Sequence, residues 1–396
     1  MIITVVGLMF GDEGKGHTVA ALTTKFNAKA NVRFSGGSQA AHRVVHNGKA
    51  HIFAQVGSGS AVSSTVRTYL SNQMAVDPLN LAKELKVHQC NGLSDLSHRL
   101  IIDSECPIIT VYHKALNQAR ELNREESGVG RISTTGLGVG EVMMDIEEDS
   151  IVIRAKDLCG SSSKLKSKIR EVLRAKLGVI STFKPRAHSW FLSHISVDRY
   201  HAALINLRPL MERCVSGIFN ERLDQEIEDG VVILEGSQGT LLDVDCGTKP
   251  YITRSKVTLS EADKLLKSYP NGERLNLGVI RGYIIRHGLG PLPSESANLT
   301  NLLPDPHTSF NEWQRDFRCG WLDLGLLKYS LQCNDGLHGL VITNLDRLPA
   351  NSSYFDFDGK QIMMSSPETV IEEFIYPMKL YVYGTSWGEE GPWVWR

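Results

Sequence analysis

The chain has 396 residues, 42% of them hydrophobic and 22% charged, which is enough apolar material for a large buried core. Lys and Arg number 43 against 44 Asp and Glu, so the net charge of −1 offers no electrostatic footprint for nucleic acid or an anionic membrane. No apolar run reaches the ~18 residues of a membrane span, the N-terminus shows no leader pattern, and seven cysteines without a CxxC pair read as reduced thiols of a cytoplasmic protein.

In chain order, Ile2–Val6 predicts a buried first strand, followed by a glycine-rich loop and a helix from His17 to Phe26. Further strands are expected at Val32–Phe34, His51–Gln55, Arg99–Ile102, Val231–Leu234, Leu277–Ile285 and Gly339–Thr343. Helical patterns cover Pro78–Leu85, Thr110–Leu122, Ser162–Leu177, Ser189–Val215, Glu261–Lys267, Leu322–Gln332 and Pro367–Phe374. This alternation predicts an α/β fold with a mostly parallel central sheet covered by helices. Length alone allows two domains or one large one; the expectation is a single domain over 1–396, with a helical excursion over 158–223. His188, His194 and His201 in that excursion are spaced too widely for a tight ligand pair and read as surface or cap residues.

Five loops place glycines and polar residues just after apolar runs: the opening loop, Ser35–His42, Ser133–Glu141, Glu235–Thr253 and Arg286–Glu295. In open α/β sheets such loops gather at the carboxyl ends of the strands and bind ligands. The opening loop, Gly7 to His17, has the strand–loop–helix layout that cradles phosphate, with Lys15 as a full positive charge. It is P-loop-like without Walker A spacing, because Met9 stands five residues before Gly14 and Gly16 follows Lys15. Asp12 is the odd residue. A carboxylate in a phosphate loop repels its ligand unless it faces a metal ion or accepts a proton.

Gly11-Asp12-Glu13-Gly14-Lys15-Gly16 resembles the signature loop of the adenylosuccinate synthetase family. The likeness continues in order. Gly36 to His42 resembles GGHNAGH, Cys106-Pro107 with Tyr112-His113 resembles CP…YHxAL, and Thr134 to Gly140 is similar to TTGRGIG. Glu235 to Tyr251 is similar to EGAQGTLLDIDHGTYPY, and Gly288 to Glu295 to GAGPFPTE. Arg318 to Asp323 resembles RTGWLD and Thr343 to Asp346 resembles TKLD.

The resemblance implies a C–N ligase of purine nucleotide biosynthesis. It joins L-aspartate to C6 of a 6-oxopurine nucleotide through a 6-phosphoryl intermediate, with Mg2+ as cofactor and GTP as phosphoryl donor. Asp12 matches the base and metal ligand, with the Ala41 carbonyl as a second ligand; His42 matches the acid, Lys15 the transition-state cation and Gln238 the base-binding amide. Gly11, Glu13, Gly14, Gly16 and His17 fall in the phosphate loop, and Gln39, Thr134, Thr135 and Thr253 near the monophosphate's 5′-phosphate. Asn344 and Asp346 match the guanine site, and Arg315 and Arg318 the amino-acid site. A homodimer is implied, with no nucleic-acid or membrane partner.

The departures cluster around substrate groups. Ser38, Gln39 and Ala41 replace His, Asn and Gly, and Leu137 replaces an arginine. Glu147-Glu148-Asp149 replaces a basic run that meets the neighbouring subunit's nucleotide, and Glu312–Arg318 keeps two of four arginines. Only 50 residues follow Asp346, about half the usual tail, which leaves ATP open beside GTP. A shorter bacteriophage subgroup acts on dGMP and often lacks the catalytic aspartate. Retention of Asp12 therefore implies IMP first, with (d)GMP or a non-catalytic nucleotide-binding relative as alternatives.

Overall fold

The computed structural model describes residues 1–267, 269, 272–303, 311–349, 352–364, 366, 369, 375–376 and 380–396. Among these, sixteen strands form three sheets. The largest contains β1 (Ile2–Gly7), β2 (Ala30–Arg33), β5 (Arg67–Leu70), β6 (Leu100–Asp103), β7 (Val215–Ser216), β8 (Val232–Glu235), β9 (Arg274–Arg281), β12 (Gly339–Thr343), β15 (Val382–Ser386) and β16 (Trp393–Trp395). Their spatial order is β16-β15-β12-β9-β1-β8-β2-β5-β6-β7, and every pairing is parallel except β15 with β16. The expected mostly parallel α/β sheet is therefore present, with β1 near its centre.

Every residue of β1 is buried, as a strand covered on both faces requires. Helix α1 (Lys15–Phe26) lays Val19 and Leu22 on Ile3, Val5, Ile233 and Leu277. Burying such side chains contributes about 1.5–3 kcal/mol each. Helices α2 (Pro78–Cys90), α3 (Val111–Glu126) and α4 (Val139–Glu147) follow. Helix α3 opens with a capping box between Thr110 and His113, whose Nε2 lies 2.9 Å from Asp145 Oδ2 of α4. Lys176 pairs with the same carboxylate and ties in the helix Ser162–Ile180. The 158–223 block holds helices from Ser162–Ile180 onward and the two-residue edge strand β7.

A hairpin of β3 (His42–His46) and β4 (Lys49–Phe53) and a four-stranded sheet of β10 (Tyr283–His287), β11 (Phe317–Asp323), β13 (Ser353–Phe355) and β14 (Gln361–Met363) lie beside the large sheet in the chain's topology. Several expectations are corrected here. Leu277–Ile285 is not one strand: the chain leaves the large sheet at Gly282, where a Cβ would press on Leu348 and Leu345, and β10 joins the smaller sheet. His51–Gln55 belongs in part to the β3–β4 hairpin. Ser189–Val215 is two helices, Pro185–Ser193 and Val197–Cys214, because Ser196 caps a new start by accepting from Arg199 N–H; Pro209 lies inside the second without ending it. Helix α1 begins at Lys15 rather than His17. The helix expected at Pro367–Phe374 lies largely outside the described residues.

Candidate active site

The loop between β1 and α1 is shaped by Glu13. Its buried carboxylate accepts from Met9 N–H at 3.0 Å and Gly11 N–H at 2.8 Å and pairs with Lys15 Nζ at 2.5 Å. Glu13 is thus turned inward and folds the loop, and Lys15 is 3% exposed at the first position of α1. Gly11, Asp12 and Gly14 have φ of 94°, 58° and 89°, left-handed values that the two glycines adopt freely. Asp12 carries that strain and caps no helix, since the cap of α1 is Gly14.

Asp12 Oδ2 instead meets His287 Nε2 at 2.5 Å. Burial raises the Asp12 carboxyl, but the His287 hydrogen bond and the charges of His287, Arg281 and Lys15 outweigh it and hold it well below the usual carboxylate range. His287 and Arg281 were missed by sequence reasoning. For His287 the only signal was its place at the end of an apolar run, just before the glycines of the Gly288–Glu295 loop; Arg281 stands inside that run, before Gly282.

Seven strands after β1 in chain order but next to it in space, β8 ends at Glu235 between β1 and β2. His42 Nδ1 lies 2.5 Å from Glu235 Oε1, and Ser58 donates to Glu235 through both Oγ–H and N–H. Burial raises the Glu235 carboxyl, but Arg33, His42 and Ser58 outweigh it and hold it at about 2. Burial and then Arg33 push the His42 imidazole below its ordinary range, against the pull of Glu235. Glu235 was visible in the sequence only as the first letter of a motif. A Cβ on Gly16 would lie 2.6 Å from His42 Cβ, which measures how closely α1 approaches the histidine.

Gln238 follows at φ 54° with its Oε1 buried and without a hydrogen bond. Both amide atoms of Gln39 and the Ser38 hydroxyl are buried and unpaired as well. The bare backbones of Gly36 and Gly37 make room for them: added Cβ atoms would stand 2.9 Å from Gln238 Oε1 and 3.1 Å from Gln39 Oε1. Buried amides cost free energy when unpaired, so a cluster of them marks a place for a polar ligand. Gly239 seals the two loops together. Its Cβ would collide with Met9 O and Glu13 Oε1 and lie 2.6 Å from Gly11 N. Gly239→Ala is expected to lower stability by about 1–3 kcal/mol in denaturant unfolding, since its φ of −133° suits alanine and only space is lacking.

The remaining expected residues fall in two groups. On one side, Thr134 accepts from Asn117 Nδ2 at 3.0 Å, and Gly138 (φ 77°) caps α4. Asn311 donates to Thr135 O at 3.5 Å and Trp313 packs on Gly136, so the Asn311–Arg318 turn lies over this loop. Glu147 at the end of α4 pairs with Arg254 at 3.8 Å, which brings Thr253 alongside. Arg315 is exposed at φ 66°. Arg318 is placed differently from a carboxylate clamp: its guanidinium donates to Gly288 O, Gly290 O and Glu295, and braces the loop that follows His287.

On the other side, Thr343 at the end of β12 donates to Glu13 O at 2.6 Å, with Asn344 (φ 55°) and exposed Asp346 next in the chain. His17 bonds Ser386 Oγ at 3.0 Å and stacks on Trp393, and burial pushes its imidazole down to about 4. It therefore offers the phosphate loop no positive charge at neutral pH. Arg43, next to His42, pairs with Glu389 at 2.9 Å, so the β15–β16 turn reaches the β3–β4 hairpin. Ala41 is exposed, immediately before His42.

No group of three or more His, Cys, Asp or Glu side chains suited to a metal occurs among the described residues. A single carboxylate with a nearby backbone carbonyl fits Mg2+, which draws much of its shell from phosphate oxygens and water. The seven cysteines form no disulfide, and no helix among the described residues is long and apolar enough to cross a membrane.

The phosphate-cradle layout of the opening loop and the buried amides beside it fit a nucleotide-binding site. The family model described as adenylosuccinate synthetase matches residues 4–357. The chain is 33% identical to the adenylosuccinate synthetase of Methylibium petroleiphilum over 374 residues, which covers 91% of this chain and 81% of the relative. It is 34% identical to that of a Polaromonas species over 355 residues, 87% and 76% of the two chains. The protein belongs to the adenylosuccinate synthetase family, whose members are ligases that use GTP and Mg2+. Its fold matches the fully ligated adenylosuccinate synthetase of Plasmodium falciparum with a TM-score of 0.84 at 19% identity, covering 100% and 99% of the chains. The cyanophage S-2L succinoaminodeoxyadenylate synthetase, bound to dGMP and dATP, matches with a TM-score of 0.63 at 16% identity, covering 98% and 93%.

Proposed function

We propose that the protein joins L-aspartate to C6 of IMP, giving adenylosuccinate, with GTP as phosphoryl donor. The observation that carries this reading is the cluster of buried, unpaired polar atoms on Ser38, Gln39 and Gln238, lying between loops that bear Asp12 and His42. A purine nucleotide pairs such groups with its ring and phosphate oxygens.

Asp12 takes the N1 proton of the 6-oxopurine, so that O6 attacks the γ-phosphorus and the nucleoside diphosphate departs. The arriving triphosphate adds negative charge beside Asp12 and raises its proton affinity at the step that needs it. Lys15 and the N-terminus of α1 stabilise charge on the transferring group. Glu235 accepts the Nδ1–H of His42, so Nε2 faces the departing oxygen and supplies a proton there once the negative charge of the bound phosphates has favoured the imidazolium. The aspartate amine then attacks C6 and phosphate leaves. Mg2+, when bound, neutralises phosphoryl charge; Asp12 and the Ala41 carbonyl would hold it.

Gln39, Thr134, Thr135 and Thr253 take the 5′-phosphate in this reading, Asn344 and Asp346 face the guanine, and exposed Arg315 receives the aspartate carboxylate. The protein acts as one domain over 1–396, as a homodimer in the cytoplasm. Phosphate release is expected only when IMP, L-aspartate, triphosphate and Mg2+ are all present; turnover absent across IMP, dIMP, GMP and dGMP with either GTP or ATP would overturn the proposal.

A further inference from the structure

Asp12 presents its two carboxylate oxygens unequally. Oδ2 is taken by His287 Nε2 at 2.5 Å, while Oδ1 receives no hydrogen bond from any described residue. Both side chains are partly open, Asp12 at 36% and His287 at 20%, so the pair borders the cleft rather than the core. The loop fixes the Asp12 backbone but not its side chain: Gly11 N–H donates to Glu13 and Glu13 O accepts from Thr343, while the Asp12 carboxylate caps no helix.

His287 comes from firmer ground. It ends β10, whose register against β11 pairs it with Phe317, and the two rings lie 6.0 Å apart. The next residue is fixed twice. Gly288 N–H donates to Asp316 O at 3.1 Å, and Gly288 O receives Arg318 at 3.0 Å. A side chain on an anchored sheet thus reaches across to a carboxylate on a glycine-rich loop. We propose that His287 is a positioning residue for Asp12, holding Oδ2 so that Oδ1 is the oxygen turned to the purine N1–H. The proposal rests on the reading of Asp12 as the base. It also makes the Asn311–Arg318 turn, through β11 and β10, part of what aligns the proton acceptor. A carboxylate free to rotate spends less time at hydrogen-bond distance from N1, and misplacement by about 1 Å costs about a hundredfold in rate.

The test compares side chains of similar chemistry and different reach. His287→Gln carries a donor out to the position of Nε2, whereas His287→Asn stops short of Asp12. His287→Asn is expected to lower kcat by about ten- to a hundredfold, with KM for IMP and GTP within about twofold. His287→Gln is expected to recover most of kcat. Thermal melts of both variants check folding. Equal kcat in the two variants, or a loss that appears in KM alone, overturns the proposal. Asp12→Ala measured alongside separates the two ideas: if it keeps turnover, the assignment of the base fails, and if it is inactive while His287→Asn is unimpaired, only the role of His287 fails.

Discussion

Asp12→Asn is expected to reduce kcat by at least about 10³-fold, the largest effect of any single substitution in the cleft. The asparagine keeps the size of the side chain and can still accept from His287, so the loop retains its path. What is lost is the only carboxylate of the opening loop with an oxygen left for a ligand, because Glu13 spends both of its own on Met9, Gly11 and Lys15, whereas Asp12 commits only Oδ2, to His287. Binding of IMP measured by calorimetry is expected to persist, since Gln39, Gln238, Thr134 and Thr135 are untouched. Rapid-quench kinetics with labelled GTP then show whether phosphoryl transfer itself has stopped. A variant with wild-type kcat would remove Asp12 from the chemistry.

Glu235→Gln is expected to cost about a hundredfold or more in kcat. The amide still fits between His42 and Ser58, but its NH2 end presents donors where an anion stood, and it no longer favours a protonated imidazole. The same substitution has a signature in stability. Glu235 is held at about 2 against an ordinary 4.5, so the folded state binds that proton less readily than the unfolded chain. Its contribution, on the order of 3 kcal/mol, is fully present above pH 4.5 and is lost as pH falls from 4.5 toward 2. Denaturant unfolding across that window should show a steep acid limb for the natural protein and a flatter one for Glu235→Gln. Equal slopes would mean that the carboxylate is not held by Arg33, His42 and Ser58 as described.

Much of the site was legible because glycines and charges mark the ends of strands. Loops following β1, β2 and β8 carry Asp12, Gln39, His42 and Gln238, and the sheet order sets those three strands side by side. The periodicity of Val19 and Leu22 gave α1 its buried face. Less legible was anything decided by contacts between distant segments. Leu277–Ile285 is interrupted by Arg281 and Gly282, and a single charge beside a glycine is too little to say locally that the chain changes sheets there. β5, Arg67-Thr-Tyr-Leu, is short and sits among serines and threonines that read as loop. His287 and Glu235 acquire meaning only from partners 275 and 193 residues away. Arg318 shows the same limit in reverse: an arginine in the expected place is committed to backbone carbonyls that no motif records.

The central position of β1 has a bearing on how the protein is made. Its neighbours are β8 and β9, and Ile2 pairs with Val232 on one side and Arg274 on the other. A ribosome therefore releases β1 before both of its supporting strands, which begin only at Val232 and Arg274. Until then, six apolar-rich residues have neither edge paired. Contacts of such long sequence separation make for slow folding and for a stretch of unprotected strand during synthesis. The residues of β1 thus acquire their working shape only after β8 and β9 are made, and completion of the site becomes a late event in biogenesis.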